Sequence, residues 1–148
     1  MSFFNIEPEI SGSPAPAPSR EGDCFVFDTW LGDDLIRPYP AILVTTPVKR
    51  ALAALEKPTG FSLARARART SRFFRKHSPG RRLPVFWALE VTGKPGQEDM
   101  GLDGAGVLVV SHRVLDVLLG FRIGRSVLTQ YVAPGRPGPG DPSSSCRT

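Results

Sequence analysis

The chain has 148 residues, of which 41% are hydrophobic and 22% are charged, close to the composition of an average globular domain. A packed core is therefore expected, and the length favours a single domain. The two cysteines do not form a disulfide framework or a zinc motif, and the N-terminus shows no signal-peptide pattern. No apolar run reaches the roughly 20 residues of a membrane span. We expect a cytoplasmic protein.

Proline, glycine and serine are concentrated near both ends of the chain. Residues 1–22 contain a Pro/Ala/Ser run, and residues 133–148 combine repeated Pro and Gly with three consecutive serines. Segments of this composition bury too little apolar surface to offset the entropy lost on ordering. We predict disordered tails over 1–22 and 133–148, and one folded domain over 23–132.

Short apolar runs and capping residues predict the elements of the folded part. Apolar runs bounded by Gly or Pro indicate strands, and Ser or Thr before helically spaced apolar residues indicates helix N-termini. We expect an α+β fold with one mixed or antiparallel sheet of five to six strands and two to three short helices. In chain order, the predicted elements are a strand at 24–27, a strand at 41–44, a helix at 47–56, a strand at 61–69, a short helix containing Phe73 and Phe74, a strand at 83–91, a strand at 107–110, a helix capped by Ser111 and a strand at 126–132.

The segment 61–69 alternates strictly between two kinds of side chain. Phe61 and Leu63 are followed at the same parity by Arg65, Arg67 and Arg69, while Ser62 and three alanines occupy the other parity. A period of two residues is typical of a strand. The pattern therefore predicts a strand with a row of three arginines facing water over a thin alanine face.

The net charge of +5 is unevenly distributed along the chain. Residues 58–89 contain eight basic side chains and no acid, whereas residues 1–36 contain seven acids and one arginine. A local basic patch attracts acidic surfaces. Three interpretations stay open: neutralisation by the acidic N-terminal region, an acidic protein partner, or a nucleic-acid backbone along 65–82. The predicted partner-binding residues are Trp30, Arg65, Arg67, Arg69, Arg72, Arg75, Arg81 and Arg82.

The two tryptophans are expected in different settings. Trp30 lies in a loop beside Gly32 and two aspartates, and tryptophan is enriched at binding hot spots. Trp30 is therefore a candidate interface anchor, with partial burial in the core as the alternative. Trp87 lies on an alternating strand and is predicted to be core.

Residues for catalysis are scarce. His77 and His112 are the only histidines, and no G-x-S-x-G turn presents a serine. We expect a non-enzymatic protein with no catalytic residue, metal or cofactor. The alternative is a small hydrolase or transferase with hard oxygen ligands for magnesium or calcium. Its candidate ligands, which we expect to be solvated loop carboxylates, are Asp33, Asp34, Glu98, Asp99 and Asp103.

The order of several short motifs resembles that of bacterial immunity-like proteins associated with polymorphic toxin systems. The resemblance spans roughly Phe27 to Val132 and implies a non-enzymatic protein that binds and neutralises a cognate toxin. The paired C-x-x-C-G motifs of some members are absent from this sequence, so no zinc role is carried over. The motifs that carry the resemblance are Trp30-Leu31-Gly32-Asp33-Asp34-Leu35, Pro40-Ala41-Ile42-Leu43-Val44-Thr45, Thr59-Gly60-Phe61, Leu83-Pro84, Leu89-Glu90-Val91-Thr92-Gly93-Lys94-Pro95-Gly96, Asp99-Met100-Gly101-Leu102 and Leu108-Val109-Val110-Ser111.

Overall fold

The structure, a computed structural model, describes residues 2–14, 24–38 and 40–133. Within these residues the chain forms two β-sheets and three short α-helices. The predicted α+β class is therefore confirmed. The strands divide between two sheets, where the sequence patterns had predicted one, because those patterns identify strands without specifying which strands pair.

The larger sheet is mixed and, in the described part of the chain, has six strands in the order β2-β3-β6-β7-β5-β4. Strands β3 and β6 are parallel, and the other neighbouring strands are antiparallel. Its members are β2 (Ser13–Pro14), β3 (Cys24–Phe27), β4 (Leu35–Ile36), β5 (Leu43–Thr45), β6 (Phe61–Thr70) and β7 (Phe86–Val91).

The smaller sheet is antiparallel, and its described strands have the order β10-β1-β9-β8. Its members are β1 (Phe3–Glu7), β8 (Met100–Leu102), β9 (Leu108–Ser111) and β10 (Val127–Gln130).

The prediction of a disordered tail over 1–22 is wrong for the first residues of the chain. Strand β1 lies in the interior of the smaller sheet, between β10 and β9, and Ile6 is fully buried. Composition averaged over 22 residues concealed a short apolar segment ahead of the Pro/Ala/Ser run. Residues 15–23 and 134–148 lie outside the described residues. They contain most of the remaining positions of the two predicted tails.

Three helices connect the strands, each at the place in the chain where the sequence predicted a helix. Helix α1 (Thr46–Ala53) has Thr45 as its N-cap and ends before the predicted Glu56. Helix α2 (Arg72–His77) is capped by the Ser71 hydroxyl, which accepts a hydrogen bond from the Phe74 N–H at 3.1 Å. Helix α3 (His112–Leu118) is capped in the same way by Ser111.

Alternate residues of the larger sheet face two separate hydrophobic clusters. The first cluster fills the space around α1 and α3 between the two sheets, and it includes Val44, Val48, Leu89 and Leu118. The second cluster lies on the opposite face of the larger sheet, beside α2. Its fully buried phenylalanines are Phe25, Phe27, Phe74 and Phe86.

Candidate protein-binding surface

Strand β6 carries the row of arginines that the alternation predicted. Arg65, Arg67 and Arg69 are exposed on one face of the strand, and Ala66 and Ala68 contact the second hydrophobic cluster from the other face. Side chains two residues apart on a strand point to the same side. The three guanidinium groups therefore lie in a line along the sheet.

A groove opens where β6 continues beyond the end of β7. Pairing of these strands stops at the Ala66–Phe86 pair, and Pro84 lies just before this point. Proline has no N–H to donate to a neighbouring strand, so the segment 83–85 separates from β6. The resulting groove has a volume of about 480 Å³. Its lining residues are Arg65, Ala66, Arg67, Ala68, Leu83, Pro84, Val85 and Phe86.

Trp87 extends the basic surface toward helix α1. Arg65 and Trp87 are directly opposite on β6 and β7, and the Arg65 guanidinium lies 6.0 Å from the centre of the indole ring. The Lys49 ammonium lies 4.6 Å from the same ring. The indole N–H donates to the Thr46 hydroxyl at 3.0 Å, which holds the ring in place. Trp87, which was predicted to be core, is half-buried: it packs against the first hydrophobic cluster and also contacts two cations.

Helix α2 carries two further predicted residues at the far end of β6. Arg72 and Arg75 are exposed. The Arg75 guanidinium donates to the carbonyl and hydroxyl oxygens of Thr70, the last residue of β6, at 2.6 and 3.2 Å. Phe73 is 51% exposed and lies against the His77 ring, with 4.1 Å between ring centres.

Trp30 is partly buried and sits behind the groove. Its indole N–H donates to the Asp33 carbonyl at 3.0 Å, and its ring meets Phe86 edge-on at 6.3 Å. Arg81 covers the ring at 5.1 Å. The structure thus shows the partial burial that the sequence left as one alternative. The role of Trp30 as an interface anchor remains a prediction. Arg82, which directly follows Arg81 and was also predicted to bind a partner, is exposed.

Several acids of the N-terminal region are engaged away from the arginine row. Asp33 forms an ion pair with Arg125 at 3.0 Å, and Glu9 lies 3.7 Å from the same guanidinium. Asp34 accepts hydrogen bonds from the Thr45 hydroxyl and the Arg122 N–H, each at 2.9 Å. These carboxylates therefore anchor the turn at residues 122–125 and the end of β5, which argues against neutralisation of the arginine row by them.

The carboxylates considered as metal ligands form internal hydrogen bonds. Asp99 is buried and binds Thr59, Ser111 and Arg113. The hydrogen bond from Arg113 is the main cause that holds the pKa of Asp99 well below its usual range. Asp103 accepts the N–H groups of two residues in its own turn. Within the described ranges, no group of three or more His, Cys, Asp or Glu side chains is placed to hold a metal ion.

A second cavity, of about 390 Å³, lies beside Asp99. The Ser111 hydroxyl in its wall donates to Asp99 at 2.8 Å, and His112 pairs with Asp116 at 3.3 Å. The serine and the histidine therefore each have a carboxylate partner of their own. The carboxylate beside Ser111 is a weak base because its pKa is held well below the usual range, so the arrangement differs from that of a serine activated by a histidine.

Sequence reasoning missed Lys49 and Trp87 as parts of the basic surface. Lys49 is on α1 and Arg65 is on β6, and both approach the Trp87 ring because β7, which carries Trp87, lies between β6 and β5 in the sheet. Strand order is not encoded in local patterns. The row on β6 was found because its alternation is local.

Comparison of the chain with protein families, with curated proteins and with solved structures finds no match. The resemblance to immunity-like proteins therefore stays a prediction. Among the residues that the structure covers, no helix is long and apolar enough to cross a membrane.

Proposed function

We propose that this chain is a non-enzymatic, cytoplasmic protein-binding module that captures an acidic partner at the groove between β6 and the segment 83–86. The observation that carries the proposal is the combination of guanidinium groups from Arg65 and Arg67 with two accessible apolar side chains, the partly exposed Leu83 and the exposed Val85. A partner segment with acidic and apolar side chains is complementary to such a groove.

The two parts of the groove contribute differently to binding. Exposed arginines raise the association rate of an acidic partner and select against basic competitors. The apolar side chains that remain accessible in the groove, Leu83 and Val85, can be buried by a partner near the centre of the contact, where binding energy is usually concentrated. Val85 is 42% exposed in the groove and is available for such a contact.

The resemblance to immunity-like proteins gives the partner a proposed identity, a cognate toxin that the chain neutralises. In this reading, the basic surface covers an acidic region of the toxin. Neutralisation requires a stable complex, so the partner should be recovered in near-equal amount with the chain.

The proposal is tested by affinity capture from the native cell lysate with nuclease present. The test variant changes Arg65, Arg67 and Arg69 to Glu. A matched control changes Lys57, Lys94 and Arg122 to Glu, which alters the net charge equally at exposed cations elsewhere. We expect wild type and control to recover one protein that the test variant loses. Equal recovery by all three proteins would exclude this surface.

A nucleic-acid-binding protein is the second candidate, and helix α2 is the feature that favours it. The half-exposed Phe73 lies against His77, beside Arg72 and Lys76, and exposed aromatic rings next to cations can stack on unpaired bases. Binding of a labelled single-stranded oligonucleotide would have to weaken steeply with salt because counterions are released. Binding that is absent at low salt, or insensitive to salt, would exclude this function.

A further inference from the structure

Strand β10 is an open edge of the smaller sheet. Among the described residues, β10 pairs with β1 on one side and with no strand on the other. The opposite edge differs, because Gly60 and Gly93 cross so close to the Met100 carbonyl that a Cβ on either glycine would overlap it. The β8 edge is thus covered, and the β10 edge is open.

The register shows which peptide groups of β10 point away from the sheet. Thr129 is opposite Asn5, and the Tyr131 N–H donates to the Phe3 carbonyl at 2.9 Å. Hydrogen-bonded pairs alternate along an antiparallel ladder. The peptide groups of residues 127, 129 and 131 therefore face β1, and those of Leu128 and Gln130 face outward.

The side chains of this edge carry no charge. All four residues of β10 are exposed, with Val127 at 56% and Leu128 at 40%, and no charged residue occurs from Ser126 to Gly135. Natural edge strands usually carry Lys, Pro or an inward charge that prevents pairing with another chain. Strand β10 itself contains no charged residue and no proline, so its edge is open to pairing with another strand.

We propose that a second copy of this chain pairs antiparallel with β10 through a two-fold axis at Thr129. Leu128 would then exchange both backbone hydrogen bonds with Gln130 of the second copy, and the two four-stranded sheets would become one continuous sheet.

The register favours a second copy as the occupant, because a two-fold axis at Thr129 aligns the outward peptide groups of Leu128 in one chain with those of Gln130 in the other. Two chains of net charge +5 repel each other, so they associate best where neither presents a cation. The adjoining Arg125 is already paired with Asp33 and Glu9. An acidic partner would gain no charge attraction at this uncharged edge and is better matched to the arginine row.

The proposal is tested by the oligomeric state of the full chain, measured by sedimentation over a range of concentrations. Leu128→Lys places a charge on the open edge, and Leu102→Lys places one on the covered edge at nearly the same exposure, 39%. We expect wild type and Leu102→Lys to be dimers with twice the chain mass, and Leu128→Lys to be a monomer. A monomeric wild type at all concentrations would overturn the proposal.

A cross-link tests the register independently. In a background with Cys24→Ser and Cys146→Ser, Thr129→Cys should form a disulfide-linked dimer on mild oxidation, because a non-hydrogen-bonded pair brings the β-carbons to about 4.5–5.5 Å. Gln97→Cys, an exposed control outside β10, should form no disulfide-linked dimer. A monomer whose Leu128 and Gln130 amides exchange slowly would show instead that another segment of the same chain covers the edge.

Discussion

Arg113 binds Asp99 through two hydrogen bonds, from Nε to Oδ1 at 2.9 Å and from Nη2 to Oδ2 at 2.6 Å. The same guanidinium donates to the carbonyl oxygens of Glu56 and Lys57, at 2.7 and 3.1 Å. Asp99 also accepts from the Thr59 N–H at 3.0 Å. The start of α3, the residues after α1 and the start of β8 are therefore joined at one carboxylate.

Asp99→Asn should lower the free energy of unfolding by about 2–3 kcal/mol, because the charge-assisted bonds to Asp99 are lost at a buried site. Urea denaturation of the variant and wild type measures the difference. Asp116→Asn removes an exposed carboxylate and should change stability by less than about 0.5 kcal/mol. Equal effects of the two substitutions would contradict the structural role of Asp99.

The stability that depends on Asp99 should be lost in acid. The hydrogen bond from Arg113 lowers the pKa of Asp99 in the folded protein, so the unfolded chain takes up the proton more readily. This contribution is present above about pH 4, the pKa range of an unfolded aspartate, and declines as the pH falls further. The gap in unfolding free energy between wild type and Asp99→Asn should therefore narrow from pH 7 to pH 3. A gap that stays constant would contradict the assignment.

Gly60→Ala and Gly80→Ala should have different costs although both glycines have similar backbone angles, with φ of +85° and +82°. At Gly80 a Cβ meets nothing within 4 Å, so we expect a cost of about 1 kcal/mol from the backbone alone. At Gly60 the Cβ would also overlap the Met100 carbonyl. Gly60→Ala should therefore lower the Tm by several degrees more than Gly80→Ala does. Thermal unfolding measures both. Equal losses would show that the crossing at Met100 is not tight.

Val85→Glu should weaken capture of the acidic partner by at least about tenfold, because the new carboxylate would neutralise the adjacent arginines and repel the partner. Val85 is 42% exposed, so folding should be unaffected. Leu119→Glu is the control, since Leu119 is 54% exposed at the end of α3, away from the groove. The two variants are compared by titration with the captured partner. Equal affinities would place the contact elsewhere.

The elements with a local signal could be predicted from the sequence. The strict alternation of residues 61–69 identified β6, and Ser111 identified the start of α3. Each of these signals depends on residues within a few positions of one another. The predicted exposure of Arg65, Arg67 and Arg69 is confirmed for the same reason.

Features that depend on distant contacts were not predictable from local patterns. Strand β1 is stabilised by pairing with β9 and β10, which follow it by more than 100 residues. The contact of Lys49 with Trp87 depends on strand order, and the groove depends on where pairing of β6 and β7 ends. A composition average over 1–22 therefore predicted disorder where tertiary pairing forms a strand.

Hydrogen exchange of the full chain, alone and with the captured partner, tests the central claim most directly because it locates the contact. We predict that the partner slows amide exchange in residues 65–69 and 83–86, with little change in residues 127–130. Protection confined to residues 127–130, or spread without any increase along β6, would contradict the claim that the arginine groove is the binding surface.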